Sequence, residues 1–277
     1  MVRRALPELT RHWRVYALVR GRDADLAALG VTQIVGDLDR PASLHRLAGL
    51  ADAVLHSAPP PDNGEEDPRT RRLIAALRRR SLPRCLVYIS TSGVYGDCQG
   101  ARVFETRPVE PRTGRAARRV AAERTLRRFG AASSCRVAIL RAPGIYAADR
   151  LPRERLRRGT PVFAAGEDSY TNHIHAEDLG RACMVALDRG RANRIYHASD
   201  DSDLPMGEWF DKLADAFGLP RPPRLSRAAA QTAVSPTLLS FMNESRRLDN
   251  GRLKRELRLR LRYPTVDAGI ADAQEKH

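Results

Sequence analysis

The sequence predicts an α/β protein in which helices cover both faces of a doubly wound parallel sheet, followed by a smaller α/β lobe. Short apolar runs rich in β-branched residues alternate with helical patterns over the first half of the chain. Such alternation is typical of parallel sheets whose strands are joined by helices. In the run Val87–Asp97, a buried strand ends in three hydroxyl residues, and ligands of such sheets bind at strand ends.

Strand-like runs and helical patterns account for most of residues 14–140. Strands are expected at 14–19, 33–36, 53–57, 85–89 and 136–140. Helices are expected near 41–48, 67–80 and 114–130. The last of these carries Val120, Leu126 and Phe129 among arginines, which is an amphipathic pattern.

Beyond Leu140 the pattern changes to that of a smaller lobe. Short strands near 161–164 and 194–198 alternate with helices near 176–188 and 206–217, and the tail from residue 226 is helical and rich in arginine. We therefore expect a Rossmann-type nucleotide-binding domain over residues 1–145. Residues 146–277 are expected to form the second lobe and the helical tail, interleaved with the first domain.

The amino-terminal end lacks two elements of a Rossmann-type fold. Such a fold opens with a strand and a glycine-rich turn, whereas this sequence opens with a helix, Val2 to Arg11. Loss of a central strand would leave backbone groups of its neighbours unpaired. We therefore expect the native protein to start roughly 10–20 residues upstream, the length of a strand and a turn. A fold that has lost its phosphate cradle is the alternative.

The charge balance raises the question of nucleic acid. The net charge is +15, from 45 arginines and 3 lysines against 33 acidic residues. The arginines are spread over most predicted helices and no nucleic-acid-binding motif occurs, so nucleic acid is not an expected partner. No apolar run approaches the ~18 residues of a membrane span, and no signal peptide opens the chain. Four scattered cysteines predict reduced thiols and a cytoplasmic location.

Val87–Asp97 also carries a family pattern, Val-Tyr-Ile-Ser-Thr-Ser-Gly-Val-Tyr-Gly-Asp. This stretch resembles the active-site serine segment of the extended short-chain dehydrogenase/reductases, the NAD(P)-dependent epimerase/dehydratase family. Leu140–Tyr146 resembles that family's segment beside the nicotinamide, and Asn172–Leu179 resembles the segment that opens a helix of its second lobe. The resemblance covers residues 13–200 and, more loosely, the C-terminal end. It implies that the second lobe binds the substrate.

The resemblance also implies which residues hold a dinucleotide. Arg20 follows the second strand of the fold, where a basic residue suits the 2′-phosphate of NADP and an acidic one suits the ribose of NAD. The sequence therefore favours NADP as the cofactor, with NAD as the alternative. Small residues at a strand end let the dinucleotide approach the backbone. The implied cofactor-binding residues are Arg20, Asp37, Leu38, Ser57, Ala58, Pro59, Ser90, Pro143 and Ile145.

The active site implied by the resemblance is atypical. Thr91 aligns with the family's catalytic serine, but Arg115 and Arg119 replace the Tyr-x-x-x-Lys pair that follows on the next helix. A guanidinium stays charged near neutral pH, so it binds phosphate or carboxylate and cannot serve as a general base. We predict Thr91 and the nearest phenol, Tyr95, as catalytic residues. Ser92, Arg115 and Arg119 are predicted to bind substrate, and a solvated basic helix face is the alternative for the two arginines.

Two interpretations exist for the His173, His175 and Asp178 group. These residue types ligate metals, and they also cap helices. The resemblance favours a cap on the helix that follows, so no metal site is predicted.

These observations lead to a functional expectation with an open alternative. We expect an NAD(P)-dependent oxidoreductase or epimerase/dehydratase-like enzyme that acts on a small or sugar-like substrate through an atypical active site. The alternative is a non-catalytic NAD(P)-binding sensor or regulatory protein, which the missing Tyr-x-x-x-Lys pair supports. An arginine-rich nucleic-acid binder on the same scaffold is the third reading, because fold alone does not determine function.

Overall fold

Strands and helices alternate along the computed structural model, which describes residues 2–276. The strands are β1 Tyr16–Val19, β2 Thr32–Val35, β3 Ala53–His56, β4 Cys85–Thr91, β5 Arg102–Val103, β6 Arg136–Ala142, β7 Gly144–Tyr146, β8 Val162–Phe163, β9 Tyr170–Thr171, β10 His173–His175, β11 Arg194–His197, β12 Leu204–Pro205, β13 Arg224–Leu225 and β14 Arg247–Leu248. The helices are α1 Val2–His12, α2 Ala24–Ala28, α3 Pro68–Leu77, α4 Gly114–Ala131, α5 Arg153–Arg157, α6 Ala176–Arg189, α7 Met206–Ala216, α8 Arg227–Ala233, α9 Pro236–Met242, α10 Gly251–Leu257 and α11 Val266–Glu275. The helix predicted near 41–48 is the 3₁₀ helix Pro41–Leu47.

A parallel sheet of four strands lies at the centre, in the order β11-β6-β4-β3. Val87 of β4 is paired with Leu55 of β3 on one side and with Ala138 of β6 on the other. Six of the seven residues of β4 are buried, which accounts for its nearly continuous apolar sequence. Because the strands are parallel, their carboxyl ends meet at one edge of the sheet, where the predicted site residues begin.

Helices cover both faces of this sheet. Val87 packs in a hydrophobic cluster with Leu179 of α6, whereas its neighbour Leu86 packs in a second cluster with Leu73 of α3 and Leu126 of α4. Successive side chains of a strand point to opposite faces, so the two clusters are the two layers of core on either side of the sheet. The predicted doubly wound α/β fold of Rossmann type is therefore confirmed.

The first two strands form a separate parallel pair. β1 is hydrogen-bonded to β2, and within residues 2–276 neither strand is paired with the four-stranded sheet. Leu18 of β1 and Val54 of β3 nevertheless contribute to the same hydrophobic cluster, so the two sheets share one layer of core. Helix α1 packs on α6, where Gly180 lies opposite Ala5. Among the described residues, β1 and β3 each keep one edge without a strand partner.

The second half of the chain builds its own cluster and also returns to the main sheet. Val162 of β8, Trp209 and Phe210 of α7, and Ile270 of α11 pack together in a cluster separate from the sheet layers. β11, however, joins the central sheet beside β6. The division of the chain at residue 145 stays a prediction. No helix within residues 2–276 is both long and apolar enough to span a membrane.

Candidate active site

Three consecutive hydroxyl residues lie where β4 ends. Ser90 and Ser92 are buried, and Thr91 is half-buried, so Thr91 is the hydroxyl of the three that a ligand can reach. The Thr91 Oγ1 atom accepts a hydrogen bond of 3.2 Å from the backbone N–H of Gly93, which caps the 3₁₀ turn Ser92–Tyr95. Because Oγ1 is the acceptor in that bond, the hydroxyl proton of Thr91 remains available to a ligand oxygen.

A buried ion pair lies directly beneath the hydroxyl run. Arg141 of β6 donates from Nη2 to Glu123 Oε2 of α4 at 2.6 Å, and the two side chains are each 4% exposed. Ser90 Oγ donates to the other oxygen of Glu123 at 2.6 Å. Burial alone would lower the pKa of Arg141, but the contacts with Glu123 outweigh it and raise that pKa. Arg141 therefore keeps its charge, and Glu123 holds Ser90 in place by accepting its hydroxyl hydrogen.

Arg141 is also hydrogen-bonded to Tyr95, and Tyr95 is hydrogen-bonded to a histidine of β11, the edge strand of the central sheet. Arg141 Nη1 donates to the Tyr95 hydroxyl at 2.6 Å, and that hydroxyl is 2.6 Å from His197 Nε2. His197 Nδ1 lies 2.9 Å from the carbonyl oxygen of Asp249, which can only accept, so Nδ1 carries the proton. Burial lowers the pKa of His197 to about 3, so its ring is neutral and Nε2 accepts the proton of Tyr95.

These bonds place the Tyr95 phenol inside the protein and not at the opening of the site. Its side chain is 1% exposed, and burial raises its pKa to about 12. The hydroxyl already accepts from Arg141 and donates to His197. A role for Tyr95 in proton transfer stays a prediction, and its contacts in the structure are those of a group that supports the neighbouring Thr91.

Arg115 and Arg119 share a face of α4 but contact different parts of the site. Arg119 Nη1 donates to the carbonyl oxygen of Ile89 and to the hydroxyl of Tyr88, both at 2.9 Å. The Arg115 guanidinium instead stacks 3.5 Å from the ring centroid of Phe241 in α9. Arg119 is therefore hydrogen-bonded to strand β4, whereas Arg115 packs against the C-terminal part of the chain. Their predicted contacts with substrate stay predictions.

The residues implied for a dinucleotide follow the ends of several strands. Arg20 is exposed after β1, and a Cβ added to the next residue, Gly21, would meet nothing within 4 Å, so there is room beside Arg20. Asp37 donates its backbone N–H to Ser43 Oγ, and the buried Leu38 and half-buried Ala58 belong to one layer of the core. The positions predicted after the other strands are exposed at Ser57 and Pro59, buried at Ser90, and half-buried at Pro143 and Ile145.

The positions implied for a dinucleotide begin at the ends of the first three strands. Exposed or half-buried groups follow β1, β2 and β3, and the space beside Gly21 after β1 is open, whereas Gly36 after β2 is closely packed. A glycine-rich turn between a strand and a helix is absent from residues 2–276, because α1 precedes every described strand. Binding of a dinucleotide by these residues stays a prediction.

Of His173, His175 and Asp178, it is His175 that caps the following helix, the role that the resemblance favoured. His175 precedes α6, and its Nδ1 accepts from the backbone N–H of Glu177 at 3.4 Å. The Asp178 carboxylate accepts the backbone N–H groups of Arg262 and Tyr263, each at 2.8 Å. These groups fasten the start of α6 to the C-terminal segment.

Comparison with known proteins identifies the family to which the chain belongs. Residues 3–199, most of the chain, match the NAD dependent epimerase/dehydratase family. The chain belongs to that family. The predicted family membership is therefore confirmed, and Thr91, Glu123, Arg141 and β1–β6 all lie inside the matched part.

The individual proteins that the chain resembles share less than a third of its sequence. A dTDP-glucose 4,6-dehydratase of Mycobacterium tuberculosis is 26% identical over 208 residues, which cover 66% of this chain and 62% of that protein. The chain thus spans about three fifths of the length of the curated relatives that it matches. A functionally unknown conserved protein from Silicibacter pomeroyi has a solved structure with a TM-score of 0.81 at 28% identity, covering 100% of this chain and 95% of that one.

A further solved structure supports the fold. The dTDP-glucose 4,6-dehydratase DesIV from Streptomyces venezuelae, solved with NAD bound, superimposes with a TM-score of 0.73 at 23% identity, covering 92% of this chain and 83% of that one. At this identity the likeness concerns the fold.

Sequence reasoning missed the buried polar groups beside the hydroxyl run. Glu123, Arg141 and His197 were not proposed as site residues, yet all three lie in the buried network. An arginine and a histidine inside otherwise apolar strands are a detectable signal, because such residues are seldom buried unless paired. Their partners were not detectable, since Tyr95 and His197 are 102 residues apart.

Proposed function

We propose that this protein is an NAD(P)-dependent oxidoreductase that acts on a sugar nucleotide. The observation that carries the proposal is the half-buried Thr91 hydroxyl at the end of the central strand, in a member of the epimerase/dehydratase family. The dehydratase relatives act on dTDP-glucose by their names, which supports a sugar nucleotide as the substrate. NAD, when bound, supplies hydride transfer, and the exposed Arg20 and Ser57 with Asp37 are the residues proposed to hold it.

Thr91 is proposed to donate its hydroxyl proton in a hydrogen bond to the reacting oxygen of the sugar. The Gly93 N–H occupies a lone pair of Oγ1 and so orients the hydroxyl. The ion pair of Glu123 and Arg141 beneath the strand end keeps this turn rigid, and rigid donors stabilise developing charge without reorganisation. Arg115 is proposed to contact the anionic part of the substrate, and Arg119 to position β4.

Replacing Thr91 with valine tests this proposal, because the change removes the hydroxyl and keeps the shape. We expect turnover of sugar nucleotides, followed as the amount of sugar-nucleotide product formed, to fall by about 10²-fold, the typical effect of losing one donor at the reacting oxygen. Thr232→Val, an exposed threonine of α8, should leave turnover unchanged. Equal turnover in the Thr91 variant would contradict the proposed role.

Tyr95→Phe separates the two predicted catalytic residues. If Tyr95 only supports the turn, the variant should lose stability and keep its turnover per folded molecule. A loss of turnover in a variant that remains folded would support the earlier prediction that this phenol moves a proton.

A non-catalytic dinucleotide-binding protein is the second candidate function. It is supported by the positions of Arg115 and Arg119, which replace the Tyr-x-x-x-Lys pair, and by the burial of Tyr95. Dinucleotide binding without turnover of any sugar nucleotide would favour this candidate.

Cofactor choice gives a separate prediction. The exposed Arg20 should favour NADP over NAD, because a charge-assisted contact with the 2′-phosphate contributes about 1.5–3 kcal/mol. We expect Arg20→Ala to weaken NADP binding by roughly 10–100-fold and to leave NAD binding nearly unchanged. Fluorescence titration with both cofactors measures the two dissociation constants, and Arg46→Ala is an exposed control. Equal affinities for NADP and NAD in the unaltered protein would refute the preference.

A further inference from the structure

A segment from the C-terminal part of the chain returns to the end of β4. The Glu244 Oε2 atom lies 3.8 Å from the point that a Cβ on Gly93 would occupy, and Thr91 Oγ1 lies 3.6 Å from the same point. The Glu244 carboxylate and the Thr91 hydroxyl therefore both lie close to the position that a side chain at Gly93 would occupy.

Glu244 forms a buried ion pair with Arg246. Arg246 Nη1 donates to Glu244 Oε2 at 3.0 Å and to the carbonyl oxygen of Gly96 at 2.7 Å. The side chains are 7% exposed for Glu244 and 10% exposed for Arg246. The bond to Gly96 fastens the pair to the residue that ends the 3₁₀ turn after Thr91.

Each partner of this pair keeps one polar atom without a hydrogen bond among the described residues. Those atoms are Oε1 of Glu244 and Nε of Arg246, and both are buried. A buried polar atom left unpaired costs about 1–3 kcal/mol, so an oriented but unsatisfied acceptor and donor indicate a place where a further polar group binds.

The hydrogen-bonding capacity of Glu244 Oε1 and Arg246 Nε limits which kind of polar group can bind between them. Oε1 of Glu244 can only accept and Nε of Arg246 can only donate. Sugar hydroxyls both donate and accept, so they complement the pair. Because the two charges of the pair offset each other, the pair gives no net attraction to an anionic or a cationic group.

We propose that Glu244 and Arg246 bind hydroxyl groups of the sugar ring and hold it against Thr91. This inference rests on the proposed function, since it names the part of a sugar nucleotide that this ion pair recognises. Glu244 and Arg246 are specificity-determining residues in this account, and Thr91 is the residue that contacts the reacting oxygen.

Calorimetric titration with dTDP-glucose and with dTDP tests the inference, because the two probes differ only in the sugar. The full chain, saturated with NAD, should bind dTDP-glucose more tightly than dTDP. Glu244→Met keeps the side-chain length and removes the acceptor, so it should weaken dTDP-glucose binding by about 10-fold or more. Binding of dTDP should be unchanged in this variant.

Two further variants distinguish a specific loss of sugar binding from a general loss of folding. Glu244→Gln keeps a hydrogen bond to Arg246 and should weaken dTDP-glucose binding less than Glu244→Met, in the same direction. Glu154→Met removes an exposed carboxylate paired with Arg158 and should change neither affinity. Thermal unfolding of each variant establishes that it is folded before titration.

The outcomes distinguish this inference from the proposed function. Equal affinities of the unaltered protein for dTDP-glucose and dTDP would overturn the inference, while conversion of a sugar nucleotide to product would still support the function. Unchanged dTDP-glucose binding in both Glu244 variants would mean that only water fills the site, and would also overturn it. An equal loss of affinity for dTDP-glucose and for dTDP in the Glu244 variants would also overturn the inference. If neither probe binds the unaltered protein, the proposed function fails and this inference fails with it.

Discussion

Replacing Glu123 with glutamine should lower the free energy of unfolding by about 3–5 kcal/mol, because the Arg141 guanidinium would remain buried without a charged partner. Both side chains are 4% exposed, so water cannot replace the lost carboxylate. Ser90 would lose the acceptor of its hydroxyl proton in the same change. Chemical denaturation of the variant and the unaltered protein measures the difference.

A second variant and a surface control make this result interpretable. Glu123→Leu combined with Arg141→Leu removes both charges and should recover much of the lost stability, because a buried pair is often no more stable than apolar residues of similar size. Asp215→Asn breaks an exposed pair with Arg221 and should have no measurable effect. Similar losses for Glu123→Gln and Asp215→Asn would contradict the account of the buried network.

Gly96→Ala should lower the free energy of unfolding by about 3 kcal/mol or more, since two separate costs add at this position. The backbone has φ 63° and ψ −152°, a conformation that is essentially restricted to glycine. A Cβ at Gly96 would also overlap the carbonyl oxygen of Glu110, which cannot withdraw because the backbone N–H of Glu110 is bonded to Val94. The same denaturation experiment measures the loss.

Gly218→Ala separates the two costs. Gly218 has φ 61°, but a Cβ there would meet nothing within 4 Å. This control should lose only the strain of a left-handed residue, about 1–2 kcal/mol. An equal loss at both glycines would show that the close approach to Glu110 does not matter. Because Gly96 also accepts a hydrogen bond from Arg246, we expect its substitution to weaken dTDP-glucose binding as well.

Local sequence patterns were sufficient to predict the order of the elements and the strand that carries the site. β4 was recognisable because a strand buried on both faces has a continuous apolar run, and Thr91 was identified because it aligns with the catalytic serine of the family that this segment resembles. The replacement of the Tyr-x-x-x-Lys pair by Arg115 and Arg119 was equally visible in the sequence. The helix predicted at 114–130 agrees with α4 to within one residue.

The contacts of the site residues were not predictable in the same way. Arg115 and Arg119 share a helix face, but one stacks on Phe241 and the other is bonded to Ile89. Helical periodicity predicts which residues share a face and says nothing about what that face meets. For Tyr95, the sequence predicted a phenol near the site, and the burial of its hydroxyl depends on Arg141 and His197.

The sequence by itself determined the α/β fold class, the family, and the position of Thr91, because each of these depends on residues close together in the chain. Only the tertiary structure decided which groups come together around the end of β4, where Thr91 lies. Glu123 meets Arg141 across 18 residues, and Ser245 next to Glu244 meets Asp97 across 148. Such contacts arise when strands pair in parallel and a distant segment packs on their ends, so the chain must be folded before its charges find their partners.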